Sequence, residues 1–592
     1  MSRLQSVVDK LIETDVLIIG SEGAGATAAL EAIKYGVKVT VVTKGTNIGK
    51  SGATVTGDAD LDVDSNSLFY RFGLKDADPA DSKDKFFEDM IKGGKFLNNQ
   101  KLAEIHVDEA PDRLQDLLNW GVKIDSLTQA SGHSYPRGTI IPGTKLMPRL
   151  RKAVLATDVQ LIPNCVVTDL LTSGKHVIGA VGINAATGEF IAFKAGAVIV
   201  CTGGAMRMYP YTTAPEELTG DGGAMAYRVG AEMVEMEFPM FLPGSFPWPP
   251  ALKGVDVPFI LSTAGSVGGH LLNKKGDRFL RHWDPERMEW TTRDIASVAI
   301  MAEILAGRGS EHGGVYVSLK HLPDNLIDNL ETWLPPEYYP YYGGFNMKDY
   351  LPDLKKDAIE SVPASHFFNG GIRIDGECAT SLPGLFASGE ATGGVHGANR
   401  LSGNAFTEMI VFGHRSGRFA ANYAKQVGEM SIDVEEVEKR RQELFAPLER
   451  ESGLLQVDIR KHMQQLVWEK AGVIRDGNSL QEALKEIIRI RQEDLPQIHT
   501  INKDRIYNRE WIQSYELGSM LTIMEMVCRT SLKREESRGS LYRRDYPQTD
   551  NINWAKNQVV KKSDEEMQIH SEPLVVTKLE PPKKIMKYGR TD

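Results

Sequence analysis

At 592 residues the chain exceeds the ~250 to 300 at which one hydrophobic core stops growing, so two or more domains are expected. Its 41% hydrophobic and 25% charged residues are those of a globular protein. The 69 Lys and Arg against 79 Asp and Glu, a net charge of −10, argue against a nucleic-acid binder.

No run of about 18 apolar residues occurs, so no membrane-spanning helix is expected, and "MSRLQSVVDKLIETD" reads as a polar, helix-like lead without the apolar core of a signal peptide. Cys165, Cys201, Cys378 and Cys528 stand too far apart for a CxxC pair. This predicts reduced, buried thiols in a cytoplasmic protein, with no metal site and no iron-sulfur cluster of its own.

The segment "DVLIIGSEGAGATAALEAIKYGVKVTVVTKG", residues 15 to 45, reads as a buried strand, a glycine turn, an amphipathic helix carrying Ala28, Leu30, Ala32 and Ile33, and a second strand. Such a βαβ unit aims the free N–H groups of a helix N-terminus at a pyrophosphate. Gly20 and Gly25 fit the first and third fingerprint glycines, whereas the middle position is Glu22. A carboxylate there would repel the ligand, so Glu22 is expected to point away, with Gly23 giving the backbone room. Thr43 and Lys44 end the second strand in place of the acid that usually holds a ribose. Alone, the unit reads either as a nucleotide site or as a structural Rossmann-like turn.

Further along, "CVVTDLLTS", "HVIGAVGIN" and "EFIAFKA" have the alternation and turn signals of an antiparallel meander. A second glycine-ended strand, "AVIVCTGG", leads to a helix after "LTGDGG", and a third, "LPGLFASGEATGG", ends in Gly389 and Glu390. Three such strands suit one extended dinucleotide gripped by separate loops. In "VHGANRLSGNAF", Arg400 stands among small residues, as an arginine in a tight solvated turn or as one that meets a ligand closely.

Together with "GGHLLNKKGDRF", "TTRDIASVAI", "HFFNGGIRID" and "RTSLKREESRGSLYRRDYP", these motifs resemble, in order and spacing over nearly the whole chain, the flavoprotein subunit of the succinate dehydrogenase and fumarate reductase family. L-aspartate oxidase and the adenylylsulfate reductase flavoprotein belong to the same family. The resemblance implies an α/β fold, α+β overall. A Rossmann-like FAD-binding domain would be split into 1–238 and 353–430, with a capping domain inserted at 239–352 and a helical domain at 431–532. Residues 533–592, rich in Lys and Pro, read as an extended tail.

The resemblance also implies roles. Arg400 and His366 correspond to ligands of a substrate carboxylate, and Arg293 to the proton donor in fumarate reduction. Read alone, His366 is a satisfied buried histidine and Arg293 a helix arginine beside Asp294. FAD would lie along Gly20, Glu22, Gly23, Ala24 and Gly25 of the first turn, and Thr43 and Lys44 after the second strand. It would continue along Lys50, Ser51 and Gly52, along Thr202, Gly203 and Asp221, and along Gly389, Glu390, Arg400, Ser402 and Asn404.

Where quinone-linked members carry a histidine bonded covalently to the flavin, this chain has Gly52, so FAD is expected without a covalent bond. Where dicarboxylate-specific members place a Gln-Phe-His segment and a Thr-Glu pair, it reads "MEFPMFLPG" and "ILSTAGSVGG", which sets Met240, Leu242, Leu261 and Ser262 in those places. An FAD-dependent oxidoreductase acting on a small anionic or activated-carbonyl substrate other than fumarate or succinate follows. It would exchange electrons with an iron-sulfur protein, in a homo- or hetero-oligomer that could touch a membrane through that partner; "ESRGSLYRRDYP" occurs in members that dock one, and otherwise reads as a solvated loop. Adenylylsulfate-type chemistry and an electron-relay flavoprotein with a decayed pocket are the alternatives.

Overall fold

The computed structural model describes residues 3–57, 60–255, 268–328, 352–564 and 566–590. Its central sheet runs in the order Gln160–Ile162, Val39–Val42, Lys10–Ile19, Phe190–Val200, His176–Asn184 and Cys165–Ser173. The first four strands are parallel, and the last three form the antiparallel meander expected from their alternation. Strand Phe190–Val200 serves two purposes. Its first half pairs with the meander, and its end pairs in parallel with Leu385–Ala387. The three glycine-ended strands, Lys10–Ile19, Phe190–Val200 and Leu385–Ala387, therefore lie side by side and deliver their turns to one edge.

Two local expectations change. Only Arg3–Val7 of the polar lead is helical, and the strand starts at Lys10, because residues 10 to 14 pair with Ile191–Ala195. The helix Gly23–Ala32 is not amphipathic but buried at every position. It lies between the sheet and the long helix Asn404–Ala424, whose Gly413 and Gly417 admit it: a Cβ on either would fall 2.6 or 2.3 Å from the carbonyl of Ala24 or Ala28.

A second sheet, of Pro239–Ser245, Ile359–Phe368, Val315–Ser318 and His270–Leu272, is antiparallel throughout and covers one side of the cavity described below. The expected boundary at 352 thus precedes a strand, Ile359–Phe368, that this sheet holds on both edges. Helix Arg293–Leu305 packs on the sheet, with Ser297 Oγ donating to the Phe241 carbonyl at 3.1 Å. Four helices, Val434–Glu449, Gln456–Ala471, Gly477–Arg489 and Arg509–Lys533, follow. The last begins where the Asn508 side chain accepts from the Trp511 N–H at 3.1 Å.

The end of the chain is not an extended tail. Lys556–Ser563 and Glu566–Pro573 form a hairpin that turns at Asp564, and its inner strand pairs with Met233–Val234. Nor does "ESRGSLYRRDYP" present its charges to a partner or to solvent throughout. Arg534 donates to Glu237 at 2.8 Å and to Glu536 at 2.8 Å, Arg538 donates to Glu536 at 2.7 Å, and all four side chains are buried. The run of charges is an internal network, which satisfies ions that burial would otherwise penalise; Arg544 and Asp545 are the exposed exceptions.

Candidate active site

A cavity of about 860 Å³ opens where the glycine turns meet the second sheet. Strand Lys10–Ile19 ends at Gly20, whose φ is +107°, and a Cβ there would lie 2.1 Å from the Cys201 carbonyl. A Cβ on Gly25 would lie 2.0 Å from the Gly20 carbonyl. Only hydrogen fits at either place. The helix N-terminus is thereby brought hard against the end of the sheet, as a close-approaching pyrophosphate requires. The glycine turns, the helix start and the hydroxyl of Thr202, without a hydrogen-bond partner among the described residues, fit an extended dinucleotide.

Gly20, Glu22, Ala24, Thr43, Lys44, Ser51, Gly52, Thr202, Gly203, Asp221, Gly389, Glu390, Arg400 and Ser402 all line this cavity, as do Arg293 and His366. Gly23, Gly25, Lys50 and Asn404 do not. Gly25 supports the turn from below, Asn404 opens the long helix, and Lys50 is exposed. The room at Gly23 is used by Met409, whose sulfur would be 2.2 Å from a Cβ, and the Gly23 N–H donates to Thr54 Oγ1 at 3.3 Å.

Glu22 lines the cavity, and both of its carboxyl oxygens are buried. Its side chain lies in the wall against Gly52, and burial pushes its carboxyl up to about 8, opposed by backbone N–H groups of Val55 and Ser51. Near neutral pH it is uncharged, which removes the expected repulsion. Burial alone would lower the Lys44 pKa, but Asp221 and Glu516, the latter at 2.9 Å, hold the ammonium above its ordinary value.

The other side of the cavity is made of charge. Arg400 is 5% exposed and lies 4.5 Å over the Phe367 ring. Its Nη1 donates to the Leu401 carbonyl at 3.1 Å, and its Nε has no partner among the described residues. Burial and then Arg293 lower its pKa to about 9, against the pull of Glu390 and Asp60. A buried guanidinium short of acceptors is a seat for an anion. Arg293 begins its helix and donates from Nη2 to Ser402 Oγ at 3.0 Å. His366, on strand Ile359–Phe368, meets Thr213 Oγ1 through Nδ1 at 2.8 Å. Burial, Arg293 and Arg400 hold it well below the ordinary histidine value, so it is neutral. Burial also pushes Glu390 up to about 7, and its Oε1 accepts from the Phe368 N–H at 3.0 Å.

Of the apolar positions, Leu242 lines the cavity, but Met240 is fully buried and away from it. Leu261 and Ser262 lie outside the described residues. The motifs did not mark Asp60, Gln129, Ser131, Thr213 and Lys253, which also line the wall. Nothing local distinguishes them; only the pairing of Asp60–Asp62 with Gly138–Ile140, and of that strand with Ser126–Thr128, carries the first of them to the site. Among the described residues no cluster of His, Cys, Asp and Glu could hold a metal ion, and the four cysteines are free and buried.

Residues 15–406 match the model of an FAD binding domain, and 460–588 that of the fumarate reductase flavoprotein C-terminus. The chain is 36% identical over 557 residues to a fumarate reductase (CoM/CoB) chain of Methanothermobacter marburgensis, covering 91% of this chain and 96% of that one. It is 32% identical over 618 residues to a fumarate reductase flavoprotein subunit of Mycobacterium tuberculosis, covering 97% and 99%. Among solved structures, the Mycobacterium smegmatis Sdh1 complex is similar with a TM-score of 0.84 at 30% identity over 97% and 96% of the two chains. The adenylylsulfate reductase of Archaeoglobus fulgidus, at 20% identity and a TM-score of 0.76 over 96% of each chain, shares the fold alone.

Proposed function

The chain belongs to the fumarate reductase and succinate dehydrogenase flavoprotein family and takes FAD as its cofactor, and from that premise we propose that it exchanges electrons between a small carboxylate and an iron-sulfur protein. The observation that carries this reading is Arg400: a buried guanidinium whose Nε has no partner among the described residues, lining a cavity that Arg293 and His366 also line. When bound, FAD supplies two-electron chemistry at its ring system. Arg400 grips one carboxylate, neutral His366 adds a hydrogen bond, and Arg293, tethered by Ser402, gives or takes the proton at the adjacent carbon. Relatives named as subunits support electrons passing to another protein.

Gly52 offers no nucleophile, which supports FAD held without a covalent bond. Leu242 in the wall supports a substrate body that is apolar or singly charged, because a second carboxylate there would lose water and gain no donor. Lys253 favours the opposite reading. It lines the cavity 4.4 Å from the centre of the Tyr211 ring, and it could meet a second carboxylate. Assays with reduced viologen decide between them. The expected result is faster oxidation with crotonate, a monocarboxylate, than with fumarate; fumarate turnover of several per second or more, the range of ordinary enzymes on their own substrates, overturns it.

A further inference from the structure

Strand Asp60–Asp62 places two carboxyls on one face, two residues apart. Asp62 is turned into the protein: His133 Nε2 lies 3.3 Å from its Oδ2, and the backbone of Gly403 presses so close that a Cβ there would fall 2.2 Å from Oδ1. His133 donates from the same nitrogen to the Ser402 carbonyl at 3.0 Å, and Arg137 beyond it is taken by Asp81 and Asp89.

Asp60 is different. It is 8% exposed, lines the cavity, and meets no donor among the described residues beyond its own backbone N–H. Arg293 and Arg400 are within electrostatic reach, yet neither donates a hydrogen bond to it in the described contacts. Burial raises its pKa, with those two guanidiniums opposing, and Asp60 in turn helps raise that of Asp62. A buried carboxyl aimed into a cavity without a donor leaves acceptor capacity that a ligand can use.

We propose that Asp60 accepts a hydrogen bond from a hydroxyl or ammonium group carried by the substrate next to the carboxylate that Arg400 holds. The substrate class is then a 2-hydroxy or 2-amino monocarboxylate rather than a plain fatty acid. This rests on the carboxylate reading above and narrows it. A site built to receive such a donor rejects the analogue that lacks it, because the acceptor is then desolvated for nothing.

The test uses the FAD-loaded protein and three probes of nearly one size, propionate, L-lactate and L-alanine, with affinity read from the flavin absorbance change and from the shift in Tm. The proposal expects L-lactate or L-alanine to bind about 10- to 100-fold more tightly than propionate, the range for a hydrogen bond to a charged group. Asp60→Ala should bring that preference close to one. Asp60→Asn, which keeps an acceptor and loses the charge, should retain preference for the hydroxyl and lose it for the ammonium. Equal binding of all three probes, abolished by Arg400→Ala, overturns the proposal and leaves the carboxylate reading standing. Preference that survives Asp60→Ala also overturns it, and failure of every probe to bind removes both.

Discussion

The two sides of the cavity are built from different materials. The cofactor side is backbone: Gly20, Gly203 and Gly389 end three neighbouring strands, and Gly25 seats the helix against Gly20, so the shape there depends on atoms that are missing. The substrate side is side chain: Arg400 and Asp60, which are buried, and Arg293 and His366, which are half-buried, all lining the cavity. A backbone site is vulnerable to added atoms and tolerant of changed charges. A side-chain site is vulnerable to the opposite changes. The difference is one of chemistry: a pyrophosphate is satisfied by N–H groups that any residue supplies, whereas a small carboxylate at a reacting centre needs specific, preorganised donors.

The largest effect should come from one added side chain on the backbone side. Gly25→Val places a Cβ 2.0 Å from the Gly20 carbonyl oxygen, so this variant should purify colourless, without FAD; a yellow protein with normal flavin content would break the comparison. On the other side, Arg400→Ala should weaken carboxylate binding and Arg293→Ala should mainly lower turnover, each by about 2 to 5 kcal/mol or roughly 30-fold to several thousandfold, with FAD content unchanged. Steady-state kinetics and flavin absorbance on the same samples separate the two sides.

Smaller effects sharpen the contrast. Glu22 is a charge change set in the backbone side, neutral below its pKa of about 8 and ionised above it. Raising the pH from 7 to 9 should weaken FAD binding by roughly tenfold, since the new charge would form in the wall of the cavity that would hold the pyrophosphate. Glu22→Gln should bind FAD with no such pH dependence, measured by flavin fluorescence. If FAD affinity is flat with pH in the unchanged protein, Glu22 does not meet the cofactor. Smallest in energy but cleanest to read, acid precipitation should leave the flavin in the supernatant, because Gly52 cannot bond to it; yellow pellets would place the covalent link at another residue.

What the sequence disclosed follows the same division. The glycine-ended strands were legible because each is a local pattern, a run of apolar residues closed by a glycine, and those patterns meet in one sheet. The roles of Arg400, His366 and Arg293 came only with the motifs around them, since each residue alone reads as ordinary. Features that depend on distant pairing were hidden. Residues 10 to 14 looked helical because their partners, Ile191–Ala195, lie far down the chain. Met240 and Leu242, two apart on one strand, cannot be sorted into core and cavity by alternation, because a register shift falls between Met240 and Phe241. Asp60 carries no signature at all; its meaning comes from meeting no donor among the described residues beyond its own backbone N–H, which a sequence cannot show.

The hairpin near the C-terminus has a consequence for how the molecule is made. Met233–Val234 joins its outer neighbour only when Val559 and Val560 arrive, and Glu237 waits equally long for Arg534 and Gln558. During synthesis at about 5 to 20 residues per second, the glycine turns emerge first and the strand behind them stays unmatched for roughly a minute or less. Throughout that interval an acidic side chain destined for the interior has no counter-ion, and a strand edge is open to any passing chain. A part of the chain made long after its middle is thus the part that closes it, and a chain cut short before the hairpin keeps its dinucleotide motif but not the structure that surrounds it.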